Sequence, residues 1–419
     1  MARECIFGDI RNLALLLYVG LCSAYLTSVT SFSPFYFGLL FSLVFCFVAF
    51  LHRLSVFADK NKRALLKVFF ITMIFYFVNL SYTKTFSKAV GLFFLLAINQ
   101  FSTIYVYGIC HYVKKEKIIK HCVRFYFYVT VVIGVIDLIY RWFIRLNIYR
   151  GPQYFYNFKM SIMFTDSNWN GFIYMLAFSF FIYLRDRYKM VSKNKLLVLF
   201  LFVLLAISRA AISCSVLVII YSKFHKLSRY KKSIFVITVA IAFCCIFPIL
   251  FYYAMHDDSF QTKLIIFKGL AYYLTHNSFT QLLIGFGTQF ATSDLADMYM
   301  NYSGVVGHVY IVLKIMDLGI IDLFLELIYF YVLLKITNYS FAYLLIPFLV
   351  CGLSMCPSNL SFFYVFAGII VFLESNRNKG EVNGFNKRDN ADLQCRVVCG
   401  RSNRVNLKSI IFKYRICNC

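Results

Sequence analysis

The stretch LFVLLAISRAAISCSVLVII, residues 201–220, carries a single charged side chain, Arg209, in a run that otherwise suits the interior of a lipid bilayer. The apolar run around Arg209 extends from 196 to 222 and holds no other charge. A guanidinium group at the centre of a membrane helix costs roughly 2.5 to 3.5 kcal/mol on insertion scales, so an arginine at that depth is a candidate functional residue.

The composition is that of a membrane protein. Of the 419 residues, 61% are hydrophobic and only 15% are charged, and long apolar runs recur along most of the chain. The formal net charge of +25 arises from basic residues in short segments between these runs. Such segments are typical of cytoplasmic loops, which carry an excess of lysine and arginine. We therefore interpret the charge as a sign of membrane topology and expect no nucleic-acid partner.

The length and spacing of the apolar runs predict an all-α polytopic membrane protein. A run of about 20 apolar residues spans a hydrocarbon core of roughly 30 Å. By this criterion we expect about 12 transmembrane helices, with both termini in the cytoplasm. The predicted spans lie near 12–30, 34–52, 65–82, 89–112, 124–144, 171–184, 196–207, 210–222, 233–254, 319–335, 339–356 and 358–373. No small-residue cleavage pattern follows the first span closely, which favours a retained helix over a signal peptide.

The predicted membrane domain covers residues 1–374 and includes two long external loops. The first loop is 145–170, and the second is 255–318. The later part of the second loop, VVGHVYIVLKIMDLG, is amphipathic, and we expect it to form a re-entrant or interfacial helix. From 375 to 419 the chain is polar and basic with little periodicity, which predicts a mostly disordered cytoplasmic tail.

A helical hairpin would accommodate Arg209. If 196–222 formed one straight helix, the basic segments at 185–195 and 223–232 would face opposite sides of the membrane, against the positive-inside bias. Two short helices joined by a turn at Ser208 and Arg209 put both basic segments in the cytoplasm. A helix of about twelve residues reaches only about 18 Å, so the turn would lie partly below the external surface.

The external segment FKMSIMFTDSNWN, 158–170, is rich in polar side chains. Asp166, Asn168 and Asn170 can cap the following helix, because their oxygens accept hydrogen bonds from its free N–H groups. Lys159 can be an interfacial lysine whose stem is buried in the lipid boundary. The functional alternative is that these side chains line a substrate site.

Arg209 has two interpretations. It can be the counter-ion of a buried acid such as Asp322 or Glu326, which lie four residues apart on one face of a predicted helix. It can instead bind an anionic substrate, since the guanidinium fork matches phosphate geometry. His308, at the outer end of the second loop, is a lone histidine, and taken alone it is a weak indicator of function.

No metal or cofactor site is predicted. The external turn TSVTSFSP, 27–34, holds no acid, so it lacks the acidic metal-binding motif that many polyprenyl-sugar transferases carry there. The external loops contain no histidine, cysteine and carboxylate group with zinc-ligand spacing. The cysteine pairs of the tail match no recognised metal pattern.

Three segments, in this order, resemble the motifs of the O-antigen polymerase and ligase superfamily of bacterial inner membranes. KMSIMFTDSN resembles a pattern of a basic residue, a serine–glycine pair, a phenylalanine and Asp-Pro-Asn, with matching positions at Lys159, Ser161, Phe164, Asp166 and Asn168. LLAISRAAI resembles a Ser-Arg motif that ends an apolar helix. LLIGFGTQF, followed by GHVYIVLKIMDLGII, resembles a glycine pair and a His-Asn-x-Tyr-Leu helix closed by a glycine.

The chain departs from the motifs of this superfamily at five places. The departures are Lys159 for arginine, Ile162 for glycine, Ser167 for proline, Val309 for asparagine and Asp322 for the second glycine. Each motif alone is weakly specific. The resemblance rests on the order of the motifs and on their shared external side.

The resemblance implies a GT-C-like, metal-independent glycosyltransferase at the periplasmic face of the bacterial inner membrane. Its donor and acceptor would be oligosaccharides linked to undecaprenyl diphosphate in the membrane lipid. A chain-length regulator and a flippase of the same pathway are the protein partners that it implies.

The chemistry of such a transfer gives each candidate residue a role. The departing diphosphate needs cationic side chains when no metal neutralises it. The candidates for this role are Arg209 first, then Lys159, Arg150 and Arg145. The acceptor hydroxyl needs a base, and His308 has a suitable side chain. Asp166 and Asn168 would shape the first motif and contact sugar hydroxyls.

Several functions remain open. A polymerase hands the growing glycan to a new lipid-linked repeat unit, and a ligase hands it to the lipid A core, and the two share all three motifs. The divergent, aromatic-rich sequence favours the polymerase. A lipid-linked oligosaccharide flippase or other transporter would show charged residues along a central pathway and short external loops. A non-catalytic membrane scaffold is the remaining alternative.

Overall fold

The protein is all-helical over the part of the chain described by the computed structural model, residues 2–28, 33–51, 60–81, 83, 86–113, 116–145, 161–164, 167–287, 309–354 and 360–378. The helices are α1 (Ala2–Leu21), α2 (Pro34–Leu51), α3 (Lys60–Leu80), α4 (Phe86–Val113), α5 (Glu116–Ile139), the π-helix π1 (Tyr140–Arg145), α6 (Ser167–Tyr188), α7 (Lys193–Leu205), α8 (Arg209–His225), α9 (Arg229–Met255), α10 (Asp258–His276), α11 (Phe279–Ile284), α12 (Tyr310–Leu313), the π-helix π2 (Lys314–Leu318), α13 (Gly319–Ile336), α14 (Ala342–Gly352) and α15 (Ser361–Asn378). The chain divides into two compact units, 1–372 and 373–419, and the contacts below lie within the first.

Several helices have the length and composition of membrane spans. Within the described residues, the three segments Lys62–Leu80, Ala89–His111 and Ile118–Phe143 are long and apolar enough to cross a bilayer. Large apolar side chains on these helices point outward, as Ile74 and Phe77 do with exposed fractions of 65% and 70%. An apolar outer surface suits lipid contact and would be unfavourable in water.

Most predicted spans coincide with a helix, but two of them end early. Helix α1 ends at Leu21 although the first span was predicted to reach 30, because the chain turns there to pair with the later segment 161–164. The backbone N–H of Thr27 donates to the carbonyl of Met163 over 3.1 Å. Helix α14 ends at Gly352 rather than at 356.

The segment 255–318, treated as a loop in the sequence analysis, contains ordered helices. Helix α10 occupies Asp258–His276, and the short helix α11 follows it at Phe279–Ile284. Side chains of α10, among them Ile266 and Tyr273, pack with Val312 and Met316 of α12 and π2 into one apolar cluster. This packing orders a segment whose sequence is less apolar than the predicted spans.

The predicted hairpin around Arg209 is confirmed. Helices α7 and α8 are separated by a break at 206–208, and both pack along α6. Near the break, the rings of Phe202 and Tyr174 stack with their centroids 5.3 Å apart. At the far end of α6, Asp186 contacts Lys226, just beyond α8, over 2.8 Å. Helices α7 and α8 therefore run in opposite directions, with the break beside the beginning of α6.

The two basic segments meet at one end of this three-helix unit. The Asp186 carboxylate contacts Lys226 Nζ over 2.8 Å, and it also accepts hydrogen bonds from Ser222 and Tyr343. The neighbouring Arg185 lies 3.5 Å from the same carboxylate. The segments that were predicted to share the cytoplasmic side thus lie together in the structure.

Candidate functional site

The turn between α7 and α8 presents Arg209 to the outside of the protein. Ser208 is the N-cap of α8, and its hydroxyl accepts a hydrogen bond from the backbone N–H of Ala211. Ile207 adopts a φ of +55°, a conformation that is strained for a β-branched residue. The Arg209 side chain is 74% exposed, and its Nη1 lies 2.8 Å from Asp257 Oδ2.

Helix α6 begins directly against this turn. A Cβ atom added at Gly171 would lie 2.7 Å from Cβ of Ser208 and 3.1 Å from Cβ of Ala211. Distances this short leave no room for a side chain at residue 171, so the glycine permits the close approach of the two backbones. The end of the first long loop and the Ser208–Arg209 turn are therefore neighbours.

A buried ion pair lies beneath the turn. Arg141, in π1, is 1% exposed, and its Nε lies 2.9 Å from Oδ2 of Asp137, one turn earlier. Its Nη1 donates a 3.1 Å hydrogen bond to the carbonyl of Leu205, the last residue of α7. The carbonyls at a helix C-terminus lack partners within the helix and carry partial negative charge, so a cation is favourable there. Arg141 thus holds the hairpin at its turn.

The Asp137 carboxylate also accepts hydrogen bonds from the segment that contains the first motif. Asp137 Oδ1 accepts hydrogen bonds from the Ser161 hydroxyl over 2.6 Å and from the Ile162 backbone N–H over 3.0 Å. Asn170 Nδ2 donates to Asp137 Oδ2 over 3.2 Å and also contacts the Ser161 hydroxyl. The amide of Asn170 therefore binds Asp137, and the helix-cap interpretation does not describe it. Asp137 and Arg141 together connect the first motif to the Ser-Arg motif.

The glycines of the third motif bring two backbone segments into contact. The N–H groups of Phe286 and Gly287 donate 3.0 Å hydrogen bonds to the carbonyls of Met316 and Asp317. Gly285 and Gly319 have φ values of +75° and +79°, and a Cβ on Gly319 would lie 2.2 Å from a backbone oxygen. Both glycines are therefore required by backbone conformation and by close packing.

Tyr310, which follows His308 by two residues, packs toward the beginning of α6 through aromatic rings. Its ring packs edge-on against Phe348 with centroids 5.6 Å apart. Phe348 in turn contacts Phe172, near the beginning of α6, over 6.3 Å. Two aromatic contacts thus link the third motif to the end of α6 that lies beside the Ser208–Arg209 turn.

The counter-ion interpretation of Arg209 is wrong. Asp322 and Glu326 are buried, and both pair with Lys314 at the beginning of π2. Lys314 Nζ lies 2.9 Å from Asp322 Oδ2 and 3.0 Å from Glu326 Oε2. The exposed partner of Arg209 is Asp257. Arg209 is therefore not needed to neutralise these buried acids.

Only part of the predicted site can be located. Lys159, Arg150, Asp166 and His308 lie outside the described residues. Arg145 ends π1, and only its backbone is described. Asn168 lies in the first turn of α6 and is half-buried. Arg209 is the one predicted cation of the site whose side chain the described residues include.

The sequence analysis did not single out Asp137, Arg141 or Lys314. The sequence does indicate an ion pair of Asp137 and Arg141, because an acid and a base four residues apart interrupt an otherwise apolar run. Both Arg141 and Lys314 lie in π-helical turns, which are rare and occur frequently at functional sites. Nothing in the sequence pattern indicates a π-helical turn at either place.

Two comparisons with known proteins bear on the identity of the chain. A scan against protein-family models finds no match for this chain, and a search of curated proteins finds no significant relative.

Proposed function

We propose that this protein is an O-antigen polymerase. It would transfer the growing glycan from undecaprenyl diphosphate to a new undecaprenyl-diphosphate-linked repeat unit at the periplasmic face of the bacterial inner membrane. In this proposal the chain crosses the membrane about 12 times, with both termini cytoplasmic and a GT-C-like arrangement. The observation that carries the proposal is the exposed Arg209 at the hairpin turn, joined to the first motif through Arg141 and Asp137.

The hairpin turn has the properties of a diphosphate-binding site. Arg209 is the first residue of α8, where free backbone N–H groups and the helix dipole favour an anion. Its guanidinium can donate two parallel hydrogen bonds to phosphate oxygens. Stabilising the charge that develops on a departing diphosphate lowers the barrier of the transfer. Arg209 would act in this way without a metal ion.

Arg209 can exchange its present partner for a substrate. Its contact with Asp257 joins two side chains that are 74% and 31% exposed. An exposed ion pair of this kind stabilises a protein by about 0 to 1 kcal/mol. A diphosphate carries more charge than one carboxylate and can therefore displace Asp257.

Other residues complete the proposed mechanism. His308 would remove the proton of the acceptor hydroxyl as that oxygen attacks the anomeric carbon. The new carbon–oxygen bond forms while the bond to the diphosphate breaks, and the diphosphate leaves on its lipid. The further cations proposed for the diphosphate are Lys159, Arg150 and Arg145. Asp166 and Asn168 would contact sugar hydroxyls.

The proposal is tested by surface polysaccharide from the bacterium that carries the gene. The gene is deleted, and plasmid copies of the wild type, Arg209→Ala and His308→Ala are returned. A polymerase predicts that deletion removes the long ladder and leaves lipid A core with a single repeat unit. Well-expressed Arg209→Ala and His308→Ala proteins should fail to restore the ladder. Bare core, with polymer accumulating on its lipid carrier, would instead indicate the ligase.

A flippase is the second candidate, and one observation favours it. Lys314, Asp322 and Glu326 are ionisable groups inside the helical core, as is common in transporters that move protons or ions. A flippase predicts that Glu326→Gln abolishes polysaccharide export while Arg209→Lys keeps it. The polymerase predicts a large loss for Arg209→Lys, because lysine cannot replace the bidentate guanidinium.

A further inference from the structure

Three ionisable side chains share one buried site in the unit that ends at Phe372. The ammonium group of Lys314 lies between Asp322 Oδ2 at 2.9 Å and Glu326 Oε2 at 3.0 Å. All three side chains are at least 95% buried. Lys314 Nζ also contacts the Tyr76 hydroxyl over 3.4 Å. The site thus joins α3, π2 and α13 inside the protein.

The charges of this site do not balance. One ammonium faces two carboxylates, so the fully ionised cluster would carry a net charge of −1. Burying an uncompensated charge costs several kcal/mol even after relaxation. Two carboxylates that share one site therefore tend to hold one proton between them. Among the described residues, the other ionisable groups that interact with the cluster are the tyrosines Tyr76, Tyr310, Tyr329 and Tyr364, which supply no positive charge.

Both carboxylates contact the single ammonium group. Lys314 donates a 2.9 Å hydrogen bond to Asp322 Oδ2. Glu326 meets Lys314 at 3.0 Å and accepts a 3.3 Å hydrogen bond from the Tyr364 hydroxyl. Glu326 also lines a cavity, whereas Asp322 does not.

That cavity gives Glu326 a route to the protein surface. It has a volume of about 190 Å³ and is lined mainly by apolar side chains of α12, α13 and α14. At its rim, Leu327 and Leu353 are 48% and 55% exposed. Tyr310, a residue that is only 4% exposed, also lines the cavity beside Glu326. A molecule that enters the cavity at its rim would therefore reach Glu326.

We propose that Lys314, Asp322 and Glu326 form a proton-binding site in which the two carboxylates share one proton beside the apolar cavity. The site takes a proton rather than a divalent metal, because no third histidine, cysteine or carboxylate joins the two acids among the described residues. This inference does not depend on the proposed glycosyltransferase activity.

Infrared spectroscopy of the purified full chain in lipid tests the proposal. A protonated carboxylic acid has a carbonyl stretch that a carboxylate lacks. We expect this band in the wild type at neutral pH and its loss in Glu326→Gln. Asp322→Asn should also remove the band, because Glu326 would then be the single ionised partner of Lys314. Asp257→Asn, at an exposed pair, is the matched control and should leave the band unchanged.

The folding of Glu326→Gln and the infrared band of the wild type each support or contradict the proposal. Glutamine has nearly the shape of a protonated glutamate, so Glu326→Gln should fold with an unchanged thermal midpoint. Failure of this variant to fold would contradict the proposal, as would a wild type without the band or a band that survives in Glu326→Gln. The infrared band does not depend on whether Arg209 is needed for the polysaccharide ladder. Failure of one proposal would therefore leave the other unaffected.

Access through the cavity is tested with dicyclohexylcarbodiimide, an apolar reagent that adds to protonated carboxylic acids. Mass spectrometry should find one reagent molecule on Glu326 and none on Asp137, whose charge Arg141 balances. Substituting Leu353→Trp at the rim should slow the modification severalfold. Labelling of Asp137 at the same rate as Glu326, or no labelling of Glu326, would contradict access by this route.

Discussion

Arg141 joins the Asp137 carboxylate, 2.9 Å from its Nε, to the end of α7, where its Nη1 donates to the Leu205 carbonyl over 3.1 Å. Through this one side chain the polar contacts of Ser161 and Asn170 reach the turn that presents Arg209. Two segments that are distant in sequence are thereby fixed relative to each other. The geometry of the proposed site depends on this connection.

Removing Arg141 should destabilise the protein strongly. Arg141→Met leaves the Asp137 carboxylate buried without its cation, and breaking one partner of a buried pair costs about 3–5 kcal/mol. The thermal unfolding midpoint in detergent measures the effect. Arg124→Met, at an exposed arginine of the preceding helix α5, is the control and should change the midpoint little.

The double variant Asp137→Asn with Arg141→Met separates charge from shape. Because neither charge is left unpaired, the double variant should be more stable than Arg141→Met alone. Equal or lower stability of the double variant would show that the ion pair does not act as described.

Gly171→Ala should disturb the hairpin turn. The added methyl group would lie 2.7 Å from Cβ of Ser208, so α6 and the turn must move apart. Overpacking of this kind costs about 1–3 kcal/mol, and the polysaccharide ladder should weaken with it. At Gly91 a Cβ would meet no atom within 4 Å, so Gly91→Ala is the matched control. Equal behaviour of the two variants would argue against the close approach.

The two partners of the exposed pair should respond differently to substitution. Arg209→Lys and Arg209→Ala should both reduce the polysaccharide ladder at least tenfold, because the bidentate contact with diphosphate is lost. Asp257→Asn should retain most of the ladder, since Asp257 only occupies the guanidinium in the absence of substrate. If Asp257→Asn were as harmful as Arg209→Ala, the ion pair itself would be the functional unit.

The Asp186 contacts should make stability depend on acid pH. Asp186 lies beyond the predicted span 171–184. Burial alone would raise the pKa of Asp186, but hydrogen bonds from Lys226 and Ser222 and the nearby positive charges outweigh it and lower the pKa below its ordinary value of 3.8. The folded pKa is the lower one, so this stabilisation is present above about pH 4 and is lost as the pH falls through the folded value.

Asp186→Asn checks that dependence. At neutral pH its unfolding midpoint should be below that of the wild type, and the difference should shrink as the pH falls below about 4. A difference that stays constant down to acid pH would assign the effect to packing instead of charge.

The sequence was sufficient for the hairpin and for most helices outside 255–318. The break at Ser208 followed from one charge in an apolar run and from basic segments on both sides of it, because both signals lie within one stretch of chain. The position of the turn also predicted that the end of α7 lies beside the beginning of α8. Local patterns of charge and hydropathy carry this information directly.

The contacts beneath the turn could not be predicted in the same way. Asp137 binds Ser161 and Asn170 across a long loop, and no periodicity indicates which buried acid binds which motif. Asp322 pairs with Lys314 rather than with Arg209, and this contact forms across the backbone break at Gly319 between π2 and α13. Such pairings depend on tertiary packing.

The central claim is tested most directly with purified protein. Lipid-linked repeat units are extracted from the deletion strain and incubated in vesicles with the wild type or Arg209→Ala in the presence of a metal chelator. We predict that the wild type produces lipid-linked glycans of two, three and more repeat units, and that folded Arg209→Ala leaves the single unit unchanged. Unchanged substrate with folded wild-type protein, or equal products from both proteins, would contradict the account.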